Sequence, residues 1–137
     1  MTTPEAIEKI NNTVAWYRDL PRSYANGALL QDASRSLSTA CFIVESELGD
    51  MKASYTSSRY LRKTRFAEIK HKFAKAGSVA KAEVEAEADE TYQGHAKDEA
   101  DYEAMVAKLN AVVSSTKEVL SSIRQHISSL KDERFNS

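Results

Sequence analysis

The chain has 137 residues, with 20 acidic and 19 basic side chains for a formal net charge of −1, 4 Gly, 2 Pro and one cysteine. So little Gly and Pro excludes the many tight turns of an all-β or α/β domain, and a lone cysteine excludes an internal disulfide. Leu, Ile, Val and Phe total 27 residues beside 19 Ala and 16 Ser, a thin and small-sided apolar supply that lacks the net charge of a disordered chain and predicts long helices.

A short helix is predicted over residues 1–20. Thr3 is placed to cap it, Pro4 suits a first-turn position, and Glu5 and Glu8 favour the positive end of the helix dipole. Ile7, Ile10, Val14 and Tyr17 recur at spacings of 3, 4 and 3 and draw one apolar stripe. Leu20 followed by Pro21 ends it.

A long helix follows over 22–76. Leu30, Ala33, Leu37, Ala40, Val44, Leu48, Met51 and Tyr55 recur by threes and fours. Gly49 interrupts this line without stopping it, since a lone glycine costs about 1 kcal/mol against alanine, and a bend is expected there. Cys41, among Ala40, Phe42 and Val44, reads as a buried and inert thiol. The line resumes at Phe66, Ile69, Phe73 and Ala76 and meets Gly77-Ser78, a Gly C-cap followed by a Ser N-cap, which predicts a tight helix-helix turn.

The third helix is predicted over 78–132, with Gly94 its weak point. Tyr102, Val106, Leu109, Val113, Thr116, Leu120, Ile123, Ile127 and Leu130 alternate fours and threes through four heptads. Met105, Val112 and Val119 lie beside this seam and widen the apolar face beyond what a two-stranded coil buries. Bundle packing or a higher-order oligomer would cover it, and a homo-oligomer is expected. The fold class is all-α: an elongated helical hairpin or coiled-coil bundle with a short N-terminal helix, in a single helical domain. The uncharged stretch Leu37 to Val44 is far short of the roughly 20 apolar residues that cross a bilayer, and no signal peptide opens the chain, so a soluble, cytoplasmic protein is expected.

Charge is unevenly placed. Residues 52 to 82 hold nine bases (Lys52, Arg59, Arg62, Lys63, Arg65, Lys70, Lys72, Lys75, Lys81) against Glu68, and residues 83 to 103 hold nine acids against Lys97. A turn at Gly77 sets Arg65 opposite Asp89, so one reading is mutual neutralisation that fixes helix register. The other reading is a basic arm that follows a phosphate backbone. Cations give sequence-independent affinity through counterion release, and an exposed aromatic stacks on the bases of a single strand. The candidate nucleic-acid-binding residues are Lys52, Arg59, Tyr60, Arg62, Lys63, Arg65, Lys70 and Lys72.

No catalytic constellation is present. His71, His95 and His126 stand far apart without the ligand spacing of a zinc site, and His95 near Asp98 and Glu99 reads as part of a solvated acidic face. There is no glycine-rich phosphate cradle. A non-enzyme is expected, without a cofactor, metal or small-molecule substrate.

The short N-terminal amphipathic helix bearing Trp16-Tyr17, the long basic arm with interspersed Tyr and Phe, and a C-terminal helix able to assemble subunits resemble the layout of UvsY-type recombination mediators of tailed phages. The resemblance covers most of the chain and has no diagnostic motif. It implies a ring-like homo-oligomer in the host cytoplasm that binds single-stranded DNA and helps load a RecA-like recombinase onto strands coated by single-strand-binding protein. Arg59, Arg62, Lys63 and Arg65 fall in the matching basic segment, whereas the acidic block from Glu83 to Glu103 departs from that layout. Two functions are therefore expected: an oligomeric accessory protein for single-stranded nucleic acid, or a helical adaptor or inhibitor whose acidic face docks on a basic protein groove.

Overall fold

A computed structural model describes residues 1–21, 26–74 and 79–136. Among these it contains four α-helices and no strand: α1 (Thr3–Asp19), α2 (Gly27–Ala74), α3 (Val79–Ala88) and α4 (Glu90–Asn136). The all-α class follows directly. The turn expected at Gly77-Ser78 lies outside the described residues. Among the described residues, no helix is long and apolar enough to cross a membrane.

Helix ends are set by side chains that satisfy free backbone amides. Thr2, one residue earlier than expected, caps α1, its hydroxyl accepting from the Glu5 N–H at 3.3 Å. Extended backbone at Leu20, ahead of Pro21, closes that helix. Asn26 Oδ1 accepts from the Leu29 N–H at 2.9 Å to start α2. Gly49 and Gly94 lie inside uninterrupted helix, in α2 and α4.

The long helix expected over 78–132 is two helices. The break falls at Asp89, whose N–H donates to the Ala86 carbonyl at 3.2 Å while its carboxylate accepts from the Tyr92 N–H at 2.9 Å. One residue thus ends α3 and caps α4. Aspartate satisfies the first free amides of a new helix more readily than it continues an old one.

The chain divides into two compact units, Met1–Leu48 with Lys108–Ser137, and Gly49–Ala107. In the first, α1 contributes Ala6 and Ile10, α2 contributes Leu30, Ala33, Leu37, Ala40, Cys41, Val44 and Leu48, and α4 contributes Leu109, Val113, Leu120 and Ile123, all buried. Thr116 is buried among them, its hydroxyl donating to the Val112 carbonyl at 2.7 Å. Glu45 of α2 meets Lys117 at 3.0 Å, and the Tyr17 and His126 rings lie 6.3 Å apart, which ties both partners to α4.

In the first unit the C-terminal seam packs against α1 and α2 of the same chain. Leu109, Val113, Leu120 and Ile123 are the inside of a single chain, while Tyr102, Val106, Ile127 and Leu130 are half-buried. The facing apolar surface comes from α1 and the first half of α2, two stripes that a lone seam does not reveal. Val112 and Val119, on the widened face, are half-buried and line a groove with Ile10 and Val14 of α1.

The second unit is built differently. Its buried apolar side chains among the described residues are Ile69, Ala82 and Ala86, with Ser58 also buried. Phe66 and Tyr92 add a tilted ring contact at 6.1 Å. So small an apolar interior leaves ion pairs to fix how α2, α3 and α4 meet.

Candidate nucleic-acid interface

The basic arm is the second half of α2. At 100° per residue, Lys52, Arg59, Lys63 and Lys70, spaced by 7, 4 and 7, fall within about 40° of one another and extend along about 27 Å of helix. All four are exposed, and none has a carboxylate partner among the described residues. Tyr60 stands beside this row, 69% exposed. Its ring is not part of the apolar line that places Phe66 and Ile69 inward.

Arg62 and Arg65 occupy other ground. The Arg62 guanidinium donates to both carboxylate oxygens of Glu99, from Nε and, at 3.3 Å, from a terminal nitrogen. Arg65 makes a two-pronged contact with Asp89, at 2.9 and 2.8 Å, and reaches Glu68 at 3.2 Å. Such paired N–H···O contacts are the strong geometry for arginine and carboxylate. Two of the eight candidate residues, Arg62 and Arg65, are thus ion-paired within the chain, to Glu99 of α4 and to Asp89 at the break between α3 and α4.

The electrostatics agree. Arg65 holds the Asp89 carboxyl down to about 2, helped by the Tyr92 amide. Asp89 and then Glu68 push the Arg65 guanidinium further above its ordinary value. The Arg62 hydrogen bond lowers the Glu99 carboxyl, and the charges of Arg59 and Lys63 add to that shift. Because Arg62 takes both oxygens of Glu99, Arg59 and Lys63 feel that carboxylate without being bound by it.

Lys72 is also off the row. It lies about 200° around the helix from Lys52, exposed, with its ammonium 5.8 Å from the centroid of its neighbour Phe73. Lys81 of α3 approaches the same ring at 5.9 Å. The structure therefore gathers Lys52, Arg59, Tyr60, Lys63 and Lys70 on one side of α2 and sets Arg62, Arg65 and Lys72 elsewhere.

The partners that sequence reasoning left open are Glu99 and, at the helix break, the second role of Asp89. A signal for Glu99 was present. Ser58, Arg62, Arg65 and Ile69 continue the spacing of Val44, Leu48, Met51 and Tyr55 in alternating fours and threes, and Glu99 lies 3 before Tyr102 on the seam of α4. Charges at seam positions face a neighbouring helix. Across from them the acids Glu83, Glu85, Glu87, Glu90, Asp98, Asp101 and Glu103 are exposed. Among the described residues no cluster of His, Cys, Asp and Glu is arranged to hold a metal ion. No family model, curated protein or solved structure matches this chain.

Proposed function

We propose that this chain is a non-catalytic accessory protein that binds single-stranded nucleic acid along the row Lys52, Arg59, Lys63 and Lys70, with Tyr60 as a stacking platform. The observation that supports it is the division of labour among the bases. Arg62 and Arg65 are consumed by Glu99 and Asp89, while four aligned cations and an exposed tyrosine ring carry no such partner among the described residues. Aligned cations match a polyanion that runs along a helix, and the ring supplies the sequence-tolerant face that a single strand uses. The finer reading, a mediator that loads a recombinase, rests on the resemblance of the sequence layout to UvsY-type proteins.

The test is titration of a labelled oligothymidylate by fluorescence anisotropy at several salt concentrations. Replacing Lys52, Arg59, Lys63 and Lys70 together by Gln weakens binding and flattens its salt dependence, each lost phosphate contact removing about 0.7 from the log-log slope. Replacing Arg62 and Arg65 instead disturbs the fold. An unaltered slope in the four-site variant refutes the reading. The exposed acids of α3 and α4 favour a second reading, an adaptor that docks on a basic partner. A wild-type chain that ignores nucleic acid at low salt and binds a basic protein establishes that one.

A further inference from the structure

The first unit carries an open groove of about 400 Å³ between α2 and α4. Its floor is Cys41 and Leu120, 4% and 6% exposed. The thiol donates to Glu45 at 3.7 Å, and burial, reinforced by that carboxylate, raises its pKa. The floor is thus apolar and uncharged at neutral pH.

The rim differs from the floor. Phe42 stands at the groove edge 71% exposed, the most exposed large apolar side chain among the described residues. Phe42 extends the apolar floor of Cys41 and Leu120 to the groove edge. Glu45 and Lys117 neutralise each other across the groove. Arg124 lies seven residues beyond Lys117, on the same side of α4, exposed and without a carboxylate partner among the described residues. Among the described residues that line the groove, the charge left uncompensated is thus positive.

We infer that this groove binds a short acidic peptide segment of a partner protein, with an apolar side chain laid on Cys41 and Leu120 against Phe42 and a carboxylate on Arg124. A small-molecule site encloses most of its ligand, whereas this slot is open along one side and suits a chain that passes across it. A nucleic acid finds no row of cations here, and a basic peptide meets Arg124 with like charge. The groove belongs to a different unit from the row of cations on α2, so the inference stands apart from nucleic-acid binding.

The test uses the full chain and a fluorescein-labelled ten-residue peptide of alternating Asp and Gly with one central Phe, followed by anisotropy. Saturable binding is expected, weakened about tenfold or more by Arg124→Glu and by Phe42→Ser. Both positions are exposed, so the helical circular dichroism stays as in the parent. Replacing the peptide's Phe by Gly, or its Asp by Lys, abolishes binding. Arg59→Glu with Lys63→Glu, far along α2, leaves it unchanged. The inference is overturned if the peptide fails to saturate, if the two groove variants bind it as the parent does, if the α2 double variant loses it, or if the Asp-Gly backbone without Phe binds equally well.

Discussion

Replacing Ile123 by Ala separates a seam that closes one chain from a seam that joins several. Ile123 is fully buried in the first unit, on the line with Leu109, Val113 and Leu120. Truncating a buried isoleucine loses its transfer free energy and leaves a cavity, about 2–5 kcal/mol together. The upper part of that range applies where neighbours hold their places, as Leu120 and Thr116 do one turn or two away on the same helix. With a urea slope of about 2 kcal/mol per molar, the unfolding midpoint falls by about 1–2.5 M. The assay is urea unfolding followed by helical circular dichroism, for parent and variant, at two protein concentrations a hundredfold apart. Within a single chain the midpoint is the same at both concentrations and the loss appears at each. An obligate dimer gains about 2.7 kcal/mol from the hundredfold rise by mass action. A midpoint that climbs with concentration, restoring the variant, refutes the placing of this seam inside one chain.

Other substitutions test the remaining elements. Gly49→Ala and Gly94→Ala each stabilise the chain by about 1 kcal/mol, because an added Cβ meets nothing within 4 Å at either site; thermal unfolding of the single and double variants checks this. Asp89→Asn lowers the melting temperature near pH 7 by weakening the Arg65 contact and the cap of α4. The Asp89 carboxyl is depressed from 3.8 to about 2 in the folded chain, so its contribution is fully present above the unfolded value and is lost as pH falls toward 2. Melts from pH 7 to pH 2 therefore show parent and Asp89→Asn converging in acid, and a constant gap contradicts the linkage. The buried Cys41 thiol reacts with iodoacetamide more slowly than a free thiol at pH 8, and urea removes the difference; equal rates without urea contradict its burial.

Periodicity made the helices and the inward line of α2 readable, since Leu30, Ala33, Leu37, Ala40, Val44 and Leu48 recur by threes and fours and are buried as a set. Cys41 was readable from its apolar neighbours. The break at Asp89 was not, because Ala88-Asp89-Glu90 has ordinary helical propensity and the cap becomes visible only when the side chain is seen to turn back on the Tyr92 amide. The destination of the C-terminal seam was hidden for another reason. A heptad line records that a face is buried, and says nothing of whether the covering stripe belongs to the same chain. For the basic arm, composition marked the right segment of α2, but a count of charges treats Arg62 and Lys63 alike while their helix faces differ by about 100°.

That difference in face explains how one segment holds a helix pair and leaves other cations in solvent. In the second unit the positions that carry Leu and Val in the first are taken by Ser58, Arg62 and Arg65. An arginine there faces the neighbouring helix, and the carboxylates it meets are Glu99 and Asp89. A paired charge gives less net stability than a packed leucine but penalises every register that separates it from its partner. Fixing the register with Arg62 and Arg65 leaves Lys52, Arg59, Lys63 and Lys70 outside the seam, where long side chains stay solvated. The acids lie across α3 and α4, and among the described residues those bonded to the arm are Asp89, Glu99 and, within α2, Glu68. Among the described residues direct neutralisation of the arm is therefore concentrated at two arginines, and the proposed binding row is left outside these contacts.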